Sequence, residues 1–419
     1  MEAQLPVDSQ TQQRELQKLQ SRYDQTSQSQ QLQAPSPFLT PKSADPGLSE
    51  EMSDGSNDEV MDINLETRRF EFHGQTSSLA FLERLRKVQE TSVAPSNGSA
   101  TPQPQGAGRS LVSDFQNDAF MDQRKAHHTS SDVLNEEYYP LHAYTFLDTY
   151  FRTLHFVHPI IDQDIFLERC HIIWRGQASR VTKSFRALYF SVLALGALTR
   201  TWTENDINGM GRFEWTRLLF DKAELALGRL GSLNDLEAVQ APFILAQVCQ
   251  HQLNPNLAYT YLGMAIRTAV STGINRKAEF RDKNFPQDSP FLTVSRTWWG
   301  LYSLEIELSF TLGRPDTLGS DIYHNRPPPA IGDNENSIIP ATLGLSKIMR
   351  EISVVMYLRR RTQADKLHDA RRIEHDLDEW VAQLPPKIRP WPRVENIPAG
   401  TLRDPYWPKL QMLVLRIRE

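Results

Sequence analysis

The sequence predicts an all-α protein, an irregular multi-helix bundle that follows a disordered N-terminal region. Three observations predict this class. Beyond Tyr138, apolar residues recur at spacings of three and four, which is the pattern of helices with one buried face. The period-two alternation of strands is not convincing anywhere, and no fixed-period repeat is visible. The first 69 residues carry too few apolar side chains to form a core.

Residues 1–69 are predicted to be a disordered glutamine-rich and acidic tail. Residues 1–33 contain eleven glutamines, and residues 1–60 contain ten acidic against four basic residues, a net charge of −6. Few apolar groups and an excess of like charge cannot offset the conformational entropy of the chain. Such tails occur as activation segments and as plain linkers, and the sequence leaves both interpretations open.

Residues 70–88 predict a short helix that docks on a larger body. Gly74 indicates a turn, and Ser77 is a candidate N-cap of the helix. The apolar residues that follow at helical spacing are Leu79, Leu82, Leu85 and Val88. Residues 89–130 are rich in Ser, Pro, Gln and Gly and are predicted to be a linker.

Residues 131–419 predict one all-helical domain. The segment 183–199 is apolar nearly all round and is expected at the centre of the bundle. Asn234, with Glu237 three residues later, is typical of a capping box, and Gly273 is a candidate left-handed C-cap. Other helices are predicted over 141–154, 215–230, 236–253, 257–271, 342–360, 368–384 and 405–419.

Composition excludes several classes of protein. The net charge of −5 and the pI near 6.2 provide no general attraction for nucleic acid. Cys170 and Cys249 are the only cysteines, so these residues cannot form a Cys-only zinc site and are expected to be buried, reduced thiols. The sequence has no run of 18 apolar residues, so it predicts no membrane span. Its N-terminus lacks the basic and then apolar regions of a secretory signal, so no such signal is predicted.

The sequence gives weak support for any catalytic or metal-ligating residue. His155 and His158 are three residues apart, a spacing that suits two ligands on one helix face, but Pro159 follows at once and no Glu general base accompanies them. His368 and His375 lie in a charged stretch, which indicates a solvated face. A nucleophile elbow, a phosphate loop and a Cys-His-Asn arrangement are all missing. The sequence therefore predicts no enzyme, no catalytic residue and no metal or cofactor in this chain.

The strongest pattern lies between residues 256 and 329. One apolar-periodic segment ends at Gly273-Ile274-Asn275-Arg276, and a second follows a polar loop. Trp298 and Trp299 are predicted to open this second helix and to belong to the core. Gly313-Arg314-Pro315 ends it. The Arg314 guanidinium is expected to act as a clamp, either on the last carbonyls of the helix or on Asp316 or Asp321.

This arrangement resembles the fungal-specific transcription factor domain, the regulatory middle region of fungal zinc-cluster (Zn2Cys6) transcription factors. The resemblance covers about residues 70–384 and implies a structural or regulatory role for a set of motif residues. These are Arg267, Gly273, Arg276, Arg296, Trp298, Trp299, Tyr302, Gly313, Arg314, Pro315 and Asp321. The chain differs from the family in carrying Asn275 where a histidine is usual, and in having no cysteine cluster.

The resemblance implies a transcription regulator that works in the nucleus, contacts DNA only indirectly and binds no membrane. Its partners would be proteins, such as a full-length zinc-cluster factor or the transcription machinery, with a small-molecule effector as a further possibility. Zinc would be bound by family residues outside these 419. The family also has further core helices, so truncation at the C-terminus is expected. Two alternatives stay open: a DNA-independent partner or dominant inhibitor of a full-length relative, and, less favoured, a small-molecule-binding helical protein or enzyme.

Overall fold

The computed structural model describes residues 60–63, 70–92, 139–202, 207, 209–228, 233–277, 290–330, 338–359, 361–385 and 389. Most of these residues are helical, which confirms the predicted fold class. The predicted tail before residue 60, most of the predicted linker and the predicted helix over 405–419 lie outside the described residues.

Ten α-helices are present in the described residues. They are α1 (Ser78–Ser92), α2 (Tyr139–Thr153), α3 (Gln163–Trp174), α4 (Lys183–Thr199), α5 (Arg212–Leu227), α6 (Leu236–His251), α7 (Pro255–Ser271), α8 (Pro290–Leu312), α9 (Ile338–Ile352) and α10 (Gln363–Gln383). Two 3-10 turns (Ala178–Arg180 and Asp321–Tyr323) and a π-helical turn (Ser353–Leu358, directly after α9) complete the helical elements.

A short antiparallel hairpin precedes the helices. Strand β1 (Val60–Ile63) pairs with β2 (Phe70–His73), with Val60 opposite His73. The predicted disordered tail over residues 1–69 is therefore wrong for β1, and β2 lies at the start of the stretch predicted as a short docking helix. Four residues are too few for period-two alternation to stand out from background. A two-stranded hairpin is also marginal in water, so its order depends on what it packs against.

Helix α1 also continues beyond the prediction, to Ser92 instead of residue 88. The Gln89 and Glu90 that follow the apolar positions are good helix formers and carry the helix into the predicted linker. Its start is as predicted, because the Ala80 N–H donates to the Ser77 hydroxyl at 3.1 Å.

Helix α4 lies at the centre of the bundle, as its apolar composition predicts. It packs against α2, α5 and α6, and thirteen of its seventeen residues are buried. A Cβ built on Gly196 would lie closer than 3 Å to the Phe146 carbonyl of α2, so the small residue lets the two backbones meet. The packing continues outward from α6 to α7, from α7 to α8, and through α9 to α10.

The structure confirms one predicted helix cap and corrects another. Gly273 has φ of 73°, so the left-handed cap after α7 is confirmed. The cap of α6 is Asp235 and not Asn234, because the Asp235 carboxylate accepts from the Ala238 N–H at 2.9 Å. Glu237 is not part of a capping box with Asn234, since its carboxylate pairs with Arg169 of α3.

Both cysteines are buried and free, as predicted. Burial raises the pKa of each thiol far above its ordinary value. We expect the native chain to react with 5,5′-dithiobis(2-nitrobenzoate) at pH 8 at least about 100-fold more slowly than the chain unfolded in guanidinium, because the thiolate is the reactive form. Fast labelling of either thiol in the folded chain would contradict this placement.

Candidate functional site

The candidate site lies at the C-terminal end of α8 and along residues 313–327, where the sequence pattern is strongest. Trp298 and Tyr302 are fully buried and Trp299 is 7% exposed, so their predicted place in the core is confirmed. They do not open the helix, however. Helix α8 begins eight residues earlier, at Pro290, where a first-turn proline loses no helical hydrogen bond.

The chain around Gly74 caps the end of α8 from outside the helix. The Gly74 N–H donates to the Leu312 carbonyl at 2.9 Å, and the Thr76 hydroxyl donates to the Phe310 carbonyl at 2.6 Å. The last carbonyls of a helix have no partner within it. A segment more than 230 residues earlier in the sequence supplies two of these partners. We call residues 70–92, which comprise β2, the Gly74 turn and α1, the docked segment.

Two glycines permit this close approach. A Cβ built on Gly74 would lie closer than 3 Å to the carbonyl oxygen of Gly313, and a Cβ on Gly313 would overlap the Gly74 backbone in the same way. Gly313 also has φ of 65°, in the left-handed region that side chains rarely adopt. The contact is therefore between two backbones, with no room for a side chain on either.

Arg314 holds the docked segment from the other side. Its Nε and Nη2 atoms donate to the Phe72 carbonyl of β2 at 3.2 and 2.9 Å, and Nη2 also donates to the Asn256 side chain. The guanidinium lies over the Tyr259 ring, 5.1 Å from its centroid. The clamp expected of Arg314 thus holds Phe72 and Asn256, while Gly74 and Thr76 bind the carbonyls at the end of α8.

Arg350 of α9 binds the two carboxylates instead, and sequence reasoning missed it. Nε and Nη2 form a bidentate pair with Asp316 at 3.0 and 2.7 Å, and Nη1 donates to Asp321 at 2.8 Å. Nη2 also donates to the Gly319 carbonyl, and the Tyr302 hydroxyl donates to Asp321 at 2.9 Å. Burial alone would lower the pKa of Arg350, but Asp316 and Asp321 raise it overall.

A buried carboxylate fixes the same loop to the middle of α8. Glu305 is fully buried, and its Oε1 atom accepts from the Thr317 N–H at 2.8 Å and from the Thr317 hydroxyl at 2.9 Å. Burial raises the pKa of the Glu305 carboxyl, while the two Thr317 hydrogen bonds oppose this rise. The folded state therefore favours the protonated form of Glu305 over its charged form.

This burial predicts a pH-dependent effect of Glu305→Gln. The folded chain holds the Glu305 proton more tightly than the unfolded chain, so wild-type stability falls as pH rises above the ordinary carboxyl range, near 4.5. Glutamine keeps an oxygen for Thr317 and removes the charge. We expect the variant to gain about 1–2 kcal/mol relative to wild type between pH 4 and pH 8. Urea unfolding at both pH values measures this gain, and a difference that does not change with pH would refute it.

The last part of the loop is bound to the end of α7. The Asn275 amide donates to the Tyr323 carbonyl at 3.1 Å and lies 3.2 Å from His324 Nδ1. Arg276 donates to the same carbonyl at 2.9 Å. The His324 ring packs on Trp298, with 4.8 Å between centroids. Asn275 is therefore a structural contact between the end of α7 and the loop.

The remaining motif residues do not join this site. Arg267 is exposed on α7. Arg296 is buried in the first turns of α8, where it donates to the Thr293 hydroxyl at 3.1 Å. It lies near His155, whose pKa is lowered to about 4 by burial and, secondarily, by the Arg296 charge.

The described residues contain no group of three His, Cys, Asp or Glu side chains placed to hold a metal ion. His155 and His158 are both buried, and His368 and His375 are exposed. Each of the described helices is too short or too polar to cross a bilayer.

Comparison with known proteins now places the chain in a family. Residues 147–382 match the family described as "Fungal specific transcription factor domain". The match covers more than half of the chain, so this protein belongs to that family, as its sequence pattern predicts. It spans α3 to α9, about half of α2 and nearly all of α10, and it leaves the docked segment outside.

The curated relatives are fungal regulators. The chain is 24% identical over 230 residues (52% of the chain, 28% of the relative) to an uncharacterized transcriptional regulatory protein of Schizosaccharomyces pombe. It is 24% identical over 233 residues (51% and 24%) to Activator of stress genes 1 of Saccharomyces cerevisiae. It is 28% identical over 186 residues (40% and 26%) to the terreic acid cluster-specific transcription factor of Aspergillus terreus. The matched part thus spans about a quarter of each relative's length, and no solved structure matches the chain.

Proposed function

We propose that this chain is the regulatory domain of a transcription regulator that acts in the nucleus through protein partners and contacts DNA only indirectly. Its membership of the fungal-specific transcription factor domain family supports this function, because the curated relatives carry regulatory names. The net charge of −5 supports the indirect contact with DNA.

The docked segment suggests how the domain regulates. Phe72, Gly74 and Thr76 bond it to the end of α8 and to Arg314. Such bonds contribute about 1 kcal/mol each, so these contacts together contribute a few kcal/mol to the docked state. A ligand or partner that binds the released state better can offset a contribution of that size. Release would present α1 and the preceding tail to other proteins.

A reporter experiment tests this function. The chain is fused to an unrelated DNA-binding domain in yeast, and output is compared with that of the DNA-binding domain alone. We expect the fusion to change output, and Gly74→Ala to shift it severalfold by releasing the docked segment. Gly263→Ala is the matched control, because a Cβ there meets no atom within 4 Å. Output equal to that of the bare DNA-binding domain for all three fusions would refute the proposal.

We expect DNA binding by the purified chain itself to be weak. Its net negative charge and two cysteines predict a dissociation constant on the order of micromolar or weaker, with strong loss between 50 and 200 mM salt. Fluorescence anisotropy with a labelled duplex at both salt concentrations measures this. Nanomolar, sequence-selective binding would contradict the indirect role.

A further inference from the structure

A groove lies between the end of α5, the start of α6 and one face of α7. Its volume is about 350 Å³, which is at the lower end of small-molecule sites and holds roughly a dozen non-hydrogen atoms. Most of the lining is apolar. The aliphatic side chains that form it are Leu227, Leu233, Ala238, Leu257 and Met264.

Two polar residues of the lining are bonded to each other. The Oε1 atom of Glu224, near the end of α5, accepts a hydrogen bond from the Tyr261 hydroxyl of α7. Burial and this hydrogen bond raise the pKa of Tyr261 far above its ordinary value, so the phenol stays a neutral donor. The two lining threonines direct their hydroxyls to backbone carbonyls of α7 itself, Thr260 to Asn256 and Thr268 to Met264. Among the described lining residues, Glu224 is therefore the charged group that a ligand would meet.

Two further features near Glu224 are negative. Helix α5 ends at Leu227, beside Glu224 in the lining, and a helix C-terminus carries a partial negative charge. Asp221, three residues before Glu224 on α5, adds to the raised pKa of Tyr261 after burial and Glu224. Lys222, the cation between these two acids, points away from the groove, over the Phe190 ring of α4 at 5.6 Å.

We propose that this groove binds a small amphipathic organic cation, an amine carried on an apolar body of about ten carbon atoms. The body would fill the aliphatic part, and the ammonium would bind Glu224 Oε2 and the terminal carbonyls of α5. An anion is disfavoured by Glu224 and by the helix terminus, and a neutral alcohol gains no charge-assisted bond. This inference rests on the proposed function in that the groove would be the effector site of the regulatory domain.

Three probes with the same body and different head groups test the charge preference. They are 4-phenylbutylamine, 4-phenylbutanol and 4-phenylbutyrate, each titrated calorimetrically into the purified chain. We expect the amine to bind about five- to tenfold more tightly than the alcohol, and the acid more weakly than either. Equal affinity for all three, tighter binding of the acid, or no heat from the amine up to about 5 mM would overturn the proposal.

Two variants locate the binding. Glu224→Gln keeps an acceptor for Tyr261 and removes the charge, so it should weaken the amine about five- to tenfold and leave the alcohol unchanged. Met264→Trp fills the groove and should weaken all binding at least about tenfold, in a chain whose thermal unfolding confirms that it is folded. Unchanged amine binding in both variants would overturn the proposal. If the chain does not bind the amine but the reporter still responds, only the groove proposal is refuted. If the amine binds normally but the reporter does not respond, only the proposed function is refuted.

Discussion

Replacing Gly74 by alanine is expected to release the docked segment while the helical domain stays folded. The added Cβ would lie closer than 3 Å to the Gly313 carbonyl oxygen, so the two backbones must separate. Separation breaks the bonds from Gly74 to Leu312, from Thr76 to Phe310 and from Arg314 to Phe72. At about 1 kcal/mol each, these losses total about 3 kcal/mol, which is about a 100-fold rise in opening.

Hydrogen exchange of the backbone amides in residues 70–92 measures this release. We expect the exchange to accelerate about 100-fold in Gly74→Ala, while the amides of α4 and α6 keep their wild-type rates. Gly263→Ala controls for the chemistry of the substitution, since no atom lies within 4 Å of its Cβ. Wild-type exchange rates in the docked segment of Gly74→Ala would show that the contact with Gly313 does not hold it.

A reciprocal variant makes the test sharper. Gly313→Ala should release the same segment, with an additional cost of about 1 kcal/mol because Gly313 has φ of 65°. The double variant should release it no further than the single variants, since both disrupt one contact. Additive effects would indicate two independent sites and would contradict the shared contact.

Replacing Arg350 of α9 by alanine is expected to be the most destabilising single change among the residues that hold the loop after α8. The guanidinium bonds to Asp316, Asp321 and the Gly319 carbonyl, and its side chain is only 23% exposed. Its loss leaves two carboxylates without their cation, one of them, Asp316, only 17% exposed. We expect the free energy of unfolding to fall by about 3 kcal/mol. Arg350→Lys should lose about half as much, because lysine keeps the charge but not the bidentate geometry.

Urea unfolding followed by tryptophan fluorescence measures this loss. Arg371→Ala is the control, since Arg371 is exposed on α10 and its removal should change stability by less than about 0.5 kcal/mol. A loss of less than 1 kcal/mol in Arg350→Ala would mean that the cluster is solvated and contributes little.

The Arg350 cluster and the docked segment are connected by a short stretch of chain. Arg314 binds Phe72, and Asp316, two residues later, binds Arg350. We therefore expect Arg350→Ala also to accelerate exchange in the docked segment, by less than Gly74→Ala does. This connection gives the domain a physical path from the packing of α9 to the release of residues preceding the bundle.

The sequence by itself determined the all-helical class, most of the helices, the buried Trp298, Trp299 and Tyr302, the left-handed cap at Gly273 and the family. These properties follow from local rules: apolar spacing, the steric freedom of glycine, and a motif read along neighbouring residues. They need no knowledge of what lies opposite each residue.

The tertiary structure alone decided the polar partners. Arg314 has two carboxylates close by in sequence, yet it binds Phe72 and Asn256, because Arg350 of α9 takes both acids. The contact of Gly74 with Gly313 joins residues separated by most of the domain. The hairpin of β1 and β2 was too short to give a periodic signal. Which donor meets which acceptor depends on how the helices pack in three dimensions, and no local spacing in the chain encodes that.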